Sequence, residues 1–243
     1  MSGKVVGTPN KVRSAYDDFL NFFQIAVEDN DGQVFFPDAP LHSSFTDSGG
    51  ARVEFKRCLY IKNLPCRKLS AGKRLDLVIM GMEELEKNDP WTVKKSTVYL
   101  NYFVVSNSAA QMVQALHFDF DEKGQADHAF FHVQLSDEPI PQGDRLSVHF
   151  DLPLQAAAQS NECWVTTRIP TPDMTLTSVL YCVAADHLRS DIFGQFADKV
   201  DPMQGRLPPL RFDALRNSVE KSPLHFKSFH WFAHARETTD QSG

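Results

Sequence analysis

Cysteine is scarce in this chain, and the four that are present lie far apart in sequence. None of them forms a C-x-x-C pair, so neither a zinc ribbon nor a disulfide framework is indicated. Thiols in a reducing cytoplasm are the simpler expectation. The glycine-rich phosphate loop, the Walker motif and the G-x-S-x-G turn are missing as well. These absences exclude the best-known nucleotide-binding and serine-hydrolase motifs.

Excess positive charge and long apolar runs are also lacking. The formal net charge is −6, which gives no global electrostatic case for wrapping nucleic acid. No run reaches the roughly 18 apolar residues that a membrane-spanning helix needs. The early lysines are not followed by the apolar stretch of an export signal. We therefore predict a cytoplasmic protein with no membrane partner and do not expect a nucleic-acid partner.

The remaining composition is that of a globular protein. Apolar residues make up 42% and charged residues 23% of the 243 residues, so we predict a single domain over residues 1–243 with a sizeable core. Both ends, residues 1–9 and 237–243, are polar and are predicted to be flexible tails. The 19 phenylalanines predict an aromatic-rich core or pocket.

An amphipathic helix is predicted near the N-terminus, over residues 10–29. Apolar side chains recur there at three- and four-residue steps, which places them on one face of a helix. They are Val12, Tyr16, Phe19, Leu20, Phe23, Ala26 and Val27. The segment "NDGQ" ends this pattern, and residues 37–50 are predicted to be a loop.

The middle of the chain, residues 51–170, is predicted to form an antiparallel sheet of about six or seven strands. "ARVEFKRCLYIKN" alternates apolar and polar residues as a half-buried strand does, and "RLDLVIMG" is apolar enough for a central strand. "STVYLNYFVVS" is rich in aromatic and β-branched residues, and "RLSVHFDLPL" and "CWVTTRI" continue the series. The spacing favours hairpins over strand–helix–strand crossovers.

Helical signals return in the C-terminal part, residues 171–236. Thr171 and Pro172 are typical of the N-cap and first turn of a helix that reaches Leu188. A second helix is predicted over "RFDALRNSVEK", whereas the periodicity of residues 223–236 fits a strand or a helix. The predicted fold class is α+β: a mainly antiparallel sheet with an N-terminal helix and C-terminal helices packed on it.

The stretch "LHFDFDEKGQADHAFFHVQL", residues 116–135, is predicted to be a hairpin with one polar face. Side chains alternate across a strand, so matching the apolar faces of the two strands brings the polar residues together. The polar face comprises His117, Asp119 and Asp121 from the first strand and His128, His132 and Gln134 from the second. One predicted register sets His117 opposite His132 and Asp121 opposite His128. Another sets Asp119 opposite His128.

Imidazole and carboxylate groups are the common ligands of zinc, manganese and iron and also the common proton-transfer groups. We predict His117, Asp119 and His132 as ligands of such a divalent metal ion. Asp121 and His128 are the predicted catalytic groups, which would move protons beside metal-activated water. Three other interpretations stay open: a non-haem iron site built on H-x-D, a metal-free His–Asp general base, and an ordinary solvated face of a sheet.

A basic segment supplies the predicted contacts to an anionic substrate. Residues 56–74 hold seven basic residues and no acidic one. Lys68, Lys73 and Arg74 are predicted to bind substrate, together with Arg168 and Gln134. A solvated strand edge is the competing interpretation of this segment. If nucleic acid did bind, this would be the first place to look.

Three further histidines are predicted to have structural rather than functional roles. His187 sits at the end of a predicted helix, where the helix dipole favours it, but its helical stripe faces the sheet and could approach the hairpin. His230 and His234 have the H-x-x-x-H spacing of helical zinc sites. They lack the glutamate of H-E-x-x-H, so a metalloprotease is not indicated.

These observations lead to two functional hypotheses from different classes. The first is a metal-dependent hydrolase that acts on a phosphate ester or a nucleotide-like small molecule. The second is a non-catalytic subunit whose polar hairpin contacts a protein partner. A near-stoichiometric transition metal in the purified protein would favour the first.

Overall fold

The computed structural model of the protein describes residues 8–36, 45–66, 73–87, 91–106, 109–121, 131–136, 154–155, 174–203 and 205–210. Within these ranges the helices are α1 (Pro9–Glu28), α2 (Leu176–His187) and α3 (Ser190–Val200), and a short 3-10 helix covers Asp201–Met203. The strands are β1 (Gln33–Phe35), β2 (Phe45–Asp47), β3 (Arg52–Leu64), β4 (Arg74–Lys87), β5 (Trp91–Val105), β6 (Ala110–Asp121), β7 (Phe131–Ser136) and β8 (Leu154–Gln155).

The strands form one sheet in the order β1-β3-β4-β5-β6-β7, with β2 beside β3 and β8 beside β6. Every pairing is antiparallel except that of β8 with β6, which is parallel. Strands β3 to β7 are each next to their neighbour in sequence, as short connections require. The predicted α+β fold, with its mainly antiparallel sheet, is confirmed.

The two faces of the sheet differ in what covers them. On the helix face, alternate residues such as Phe55, Leu100 and Phe118 are fully buried in one core with the helices. On the outer face lie the intervening residues, including a smaller buried cluster around Val78 and Phe103. Because side chains alternate along each strand, a residue of β3 to β6 belongs to one face or to the other.

Helix α1 packs on the helix face through the predicted apolar stripe, all seven residues of which are buried. The ring of Tyr16 stacks on Phe55 of β3 with 4.2 Å between centroids. Phe19 and Phe23 meet Phe196 of α3 edge-on at 5.8 and 6.2 Å. Such aromatic pairs add about 0.5–1.5 kcal/mol beyond burial. The predicted aromatic-rich core therefore joins α1 both to the sheet and to α3.

The buried carboxylate of Glu83 joins helices α1 and α2 to strand β4. Glu83 is fully buried; its Oε2 accepts a hydrogen bond from the Tyr16 hydroxyl at 2.6 Å, and its Oε1 accepts one from the N–H of Leu176 at 2.6 Å. The Ser96 hydroxyl donates to Oε1 at 3.2 Å. Since the first N–H groups of a helix have no partner inside it, Glu83 satisfies one of them for α2.

The close approach of α2 to the sheet depends on a glycine. A Cβ atom at Gly81 would lie 2.6 Å from Cδ1 of Leu176, well inside van der Waals contact. Leu176 is itself fully buried, so its side chain has little room to move aside. The missing side chain at Gly81 and the acceptor at Glu83 together determine where α2 begins.

A buried arginine also lies between α1 and the sheet. The Arg57 side chain is only 2% exposed, and its Nη2 lies 2.9 Å from Oδ1 of Asp17. The guanidinium carbon lies 5.0 Å from the ring centroid of Phe55. Burial lowers the pKa of Arg57, and the negative charge of Asp17 opposes that shift. This ion pair therefore connects α1 to β3 at low solvent exposure.

The N-terminus of α2 differs from the prediction. Its N-cap is Thr175, whose Oγ1 accepts a hydrogen bond from the N–H of Ser178 at 3.2 Å, and not Thr171. Both threonines satisfy the local preference for an N-cap, so local rules do not separate them. The bond from Leu176 to Glu83 favours the later start.

Some observed elements were not predicted, and some predicted elements lie outside the described residues. Helix α3 was not predicted, and β2 lies inside the segment predicted to be a loop. The predicted strand at 163–169, most of the one at 145–154, the helix at 211–221 and the segment 223–236 lie outside the described residues. Among the helices of the described ranges, none has the length and apolar character to cross a membrane.

Candidate functional site on the outer face

The predicted polar face of β6 lies on the outer face of the sheet, away from the helices. Pairing with β5 sets His117 opposite Tyr99, Asp119 opposite Thr97 and Asp121 opposite Lys95. One strand further, the same rows continue with Met80, Met82 and Glu84 of β4. We call His117, Asp119, Asp121 and their β5 partners Tyr99, Thr97 and Lys95 the outer-face site.

Strand β7 pairs with β6 in a register that differs from both predicted ones. His132 lies opposite Asp119, and Gln134 lies opposite His117. Relative to the first predicted register, His132 is displaced by two residues along β6. A shift of two leaves every side chain on its own face, so the apolar pattern that supported the prediction could not detect it. His128 lies outside the described residues.

The His117 and Asp119 side chains converge. Nε2 of His117 lies 2.9 Å from Oδ2 of Asp119, and the two side chains are 13% and 23% exposed. Two donor atoms that each lie about 2.1 Å from a metal ion are about 3.0 Å apart at the right angle of an octahedral site and about 3.4 Å apart at the tetrahedral angle of zinc. The observed 2.9 Å separation is that of two adjacent octahedral ligands, and a tetrahedral zinc ion would need the two atoms about 0.5 Å further apart.

Tyr99 packs face to face on the His117 ring. The centroids are 4.3 Å apart and the ring planes differ by 14°. Burial and the negative charge of Asp119 raise the pKa of Tyr99, so its phenol stays protonated beside the carboxylate at neutral pH. Tyr99 was not among the predicted site residues. Its signal was the alternation of Lys95, Thr97 and Tyr99 in β5, which places the three on one face.

Asp121 stands at the more exposed end of the site. Its Oδ2 lies 3.2 Å from Nζ of Lys95, and the two side chains are 42% and 39% exposed. The hairpin sequence alone could not predict Lys95 as a partner of Asp121, because Lys95 belongs to the neighbouring strand β5. An exposed ion pair of this kind contributes little to stability, typically about 0–1 kcal/mol.

The predicted substrate-binding residues are not all near the outer-face site. Gln134 is exposed and lies opposite His117. Arg74 is the first residue of β4 and precedes Met80 by six residues. Met80 lies in the same cross-strand row as Tyr99 and His117. At about 3.3 Å per residue the separation along the strand is about 20 Å. Lys73 lies one residue further away, and Lys68 and Arg168 lie outside the described residues.

Arg74 is engaged in a local network of its own. Its Nε lies 2.9 and 3.1 Å from the two carboxylate oxygens of Asp76, which is fully buried. The Tyr60 hydroxyl donates to the same carboxylate at 2.7 Å, and the backbone N–H of Asn63 donates at 3.0 Å. Burial and the hydrogen bond to Asp76 raise the pKa of Tyr60. This arrangement stabilises the irregular end of β3, where Asn63 has a positive φ of 62°.

His187 lies on the opposite face of the sheet from the hairpin's polar residues. Its ring is 5.6 Å from that of Tyr102 on the helix face, and Nδ1 lies 3.1 Å from the carbonyl oxygen of Pro65. These contacts agree with the prediction that His187 faces the sheet. They disagree with the prediction that it approaches the polar residues of the hairpin, which lie on the other face. Burial lowers the pKa of His187, although the bond to Pro65 and the charge of Asp186 oppose the shift.

The lowered pKa of His187 predicts acid sensitivity. Because the folded state disfavours the proton, the unfolded chain binds more protons below the ordinary pKa of about 6.5, so stability falls as the pH falls through that value. We expect His187→Asn, which retains an amide N–H for Pro65, to reduce the loss between pH 7.5 and 5.0 by up to about 2 kcal/mol, since each pH unit is worth about 1.4. Urea unfolding at both pH values measures this. Equal losses in the wild type and the variant would contradict it.

Within the part of the chain that the structure describes, no group of three or more His, Cys, Asp or Glu side chains is arranged to hold a metal ion. That set excludes His128, which lies outside the described residues, and the side chain of His132, of which only the backbone position is described. Of the predicted ligands, His117 and Asp119 are in contact, whereas His132 is described only by its backbone position opposite Asp119.

The fold class of this chain is defined by its structure alone, because the comparisons with known proteins add nothing to it. The described residues define a mixed α+β protein with a mainly antiparallel sheet. Neither the models of known protein families, nor the curated proteins, nor the solved structures contain a significant match to this chain.

Proposed function

We propose that this chain is a metal-dependent hydrolase whose metal ion is held by His117, Asp119 and His132. The proposal is supported by one side-chain contact and by the strand register. His117 and Asp119 touch at 2.9 Å, and His132 is the residue directly opposite Asp119 on β7. Directly opposed residues of antiparallel strands have Cβ atoms about 4.5–5.5 Å apart, a spacing that one ion can bridge.

The donor set determines the chemistry. Two imidazoles and a carboxylate suit zinc, iron or manganese, and such an ion supplies an activated water at neutral pH. Around the ion, neighbouring residues of the chain would orient the imidazole of His117 and neutralise the carboxylate of Asp121. Tyr99 stacks on the His117 ring, and Lys95 pairs with the Asp121 carboxylate. Asp121 and His128 remain the proposed proton-transfer groups.

The proposed substrate is a phosphate ester or a nucleotide-like molecule, in a cytoplasmic protein. Its support is the basic segment at 56–74, and Gln134 beside His117 is the proposed substrate contact closest to the metal. Because Arg74 is engaged with Asp76 about 20 Å along the strand, a substrate reaching both would have to be long. A small phosphate ester would therefore not need Arg74.

Zinc titration by calorimetry, with metal-free protein made without an affinity tag, tests the proposed site. We expect one equivalent to bind, and His117→Ala and Asp119→Ala each to weaken binding by at least about 100-fold. Even partners that only orient a ligand are typically worth 10–100-fold. The control is His187→Asn, a histidine on the opposite face, which should bind zinc as the wild type does. Undiminished binding in both alanine variants would overturn the site.

Two other functions share these observations. The same three ligands are the set of a non-haem iron oxygenase, which would be distinguished by oxygen consumption in the presence of ferrous iron. A non-catalytic subunit is favoured by the exposed ion pairs of the outer face, namely Lys95 with Asp121 and Lys56 with Glu54. A protein that binds no metal and whose stability ignores chelators would support that second alternative.

A further inference from the structure

The Tyr99 ring packs face to face on the His117 ring across two neighbouring strands. The two residues are directly opposed on β5 and β6, and their rings lie nearly parallel at 4.3 Å. In the core, Tyr16 stacks on Phe55 in the same way, whereas Phe19 meets Phe196 edge-on. A face-to-face contact covers one whole side of the imidazole and therefore limits rotation of its plane.

The plane of the His117 ring decides what its nitrogen atoms can reach. A histidine ring on a strand turns freely about its last torsion, whose energy wells are broad. Only some orientations bring Nε2 to 2.9 Å from Asp119. The bulk of Tyr99 on one side of the ring selects among these orientations before any ligand arrives, which is how preorganisation reduces the cost of binding.

We infer that Tyr99 is a positioning residue of the outer-face site: its ring holds the His117 imidazole in the orientation that metal binding requires. This inference rests on the proposed function for its metal and on the stacked geometry alone for its effect on His117. The ring, not the hydroxyl, carries the role, because the stack is made by the ring atoms.

Two substitutions separate the ring from the hydroxyl. Tyr99→Phe keeps the stack, and Tyr99→Leu removes it while preserving an apolar side chain. The matched control is Tyr181→Leu, because Tyr181 is also half-buried and packs its ring on Phe193 at 5.3 Å, but on helix α2. Circular dichroism first establishes that all three variants fold.

The first measurement needs no metal. In proton–carbon NMR spectra of the metal-free protein, the His117 ring protons should be shifted upfield by the tyrosine ring in the wild type. We expect that shift to persist in Tyr99→Phe and Tyr181→Leu and to disappear in Tyr99→Leu. An unchanged His117 signal in Tyr99→Leu would overturn the positioning role.

The second measurement is zinc affinity. We expect Tyr99→Phe and Tyr181→Leu to match the wild type and Tyr99→Leu to bind about 10-fold more weakly, the low end for a residue that orients a ligand. Equal weakening in Tyr99→Phe and Tyr99→Leu would overturn the assignment to the ring. If the wild type bound no zinc while the NMR result held, the proposed function would fail and the effect of Tyr99 on His117 would stand.

Discussion

Glu83→Leu is expected to destabilise the protein by about 4 kcal/mol. The substitution removes the acceptor of the Leu176 N–H and of the Tyr16 hydroxyl, and each buried donor that loses its acceptor costs about 1–3 kcal/mol. Ser96 loses less, because its hydroxyl also lies 3.0 Å from the carbonyl oxygen of Met174. Thermal unfolding should show a fall in Tm of about 10 °C, at about 2–4 °C per kcal/mol for a chain of this size.

Glu83→Gln is the matched control for that prediction. The amide oxygen can still accept from Leu176, and the Tyr16 hydroxyl can rotate to accept from the amide nitrogen. We expect it to cost less than half as much as Glu83→Leu. If the leucine variant were as stable as the glutamine variant, the hydrogen bonds of Glu83 would not be what fixes α2 to the sheet.

The second large effect is expected at the ion pair between α1 and β3. Asp17→Ala leaves the Arg57 guanidinium in a site where its side chain is 2% exposed, without its 2.9 Å contact to Asp17. Removing one partner of a buried pair typically costs 3–5 kcal/mol. Because Asp17 is itself 25% exposed, water reaches the pair from one side, and we expect about 3 kcal/mol by urea unfolding.

The neighbouring residue in the same helix provides the control. Asp18 pairs with Arg206 at 2.7 Å, but those side chains are 43% and 51% exposed. Asp18→Ala should therefore cost less than about 1 kcal/mol. Replacing both members of the buried pair, in Asp17→Ala with Arg57→Met, should recover most of the lost stability, since an apolar side chain carries no charge to solvate. Equal costs for Asp17→Ala and Asp18→Ala would contradict burial as the cause.

The parts of the fold that follow from local periodicity were predictable. The stripe of α1 was identified except for Ala15, because burial on one side of a helix imposes a 3.6-residue repeat. Alternation identified β3, continuous apolarity identified β4, and aromatic and β-branched content identified β5, although β4 and β5 extend beyond the predicted segments. The antiparallel arrangement followed from the short connections between them.

The parts that depend on distant contacts were not predictable. The start of α2 depends on Glu83, 93 residues earlier in the chain. Helix α3 has only Ile192, Phe196 and Val200 buried, and these four-residue steps are too few to identify it against its polar neighbours. β2 has three residues, which is shorter than any alternating pattern that could identify it.

For the candidate site, the sequence identified the face but not its neighbours. Placing His117, Asp119 and Asp121 on one side of β6 required only alternation. Assigning His132 to Asp119 required the register, which a two-residue shift changes without moving any side chain to the other face. Tyr99 and Lys95 required knowing that β5 lies beside β6, which is information about pairing rather than about pattern.

Anomalous X-ray diffraction at the zinc edge, from crystals of the zinc-loaded chain, tests the central claim most directly. The account predicts one strong peak on the outer face, about 2.0–2.2 Å from a nitrogen of His117, an oxygen of Asp119 and a nitrogen of His132. A peak elsewhere, or none while these side chains point into open solvent, would contradict it. In that case the α+β fold would stand and the outer face would need another function.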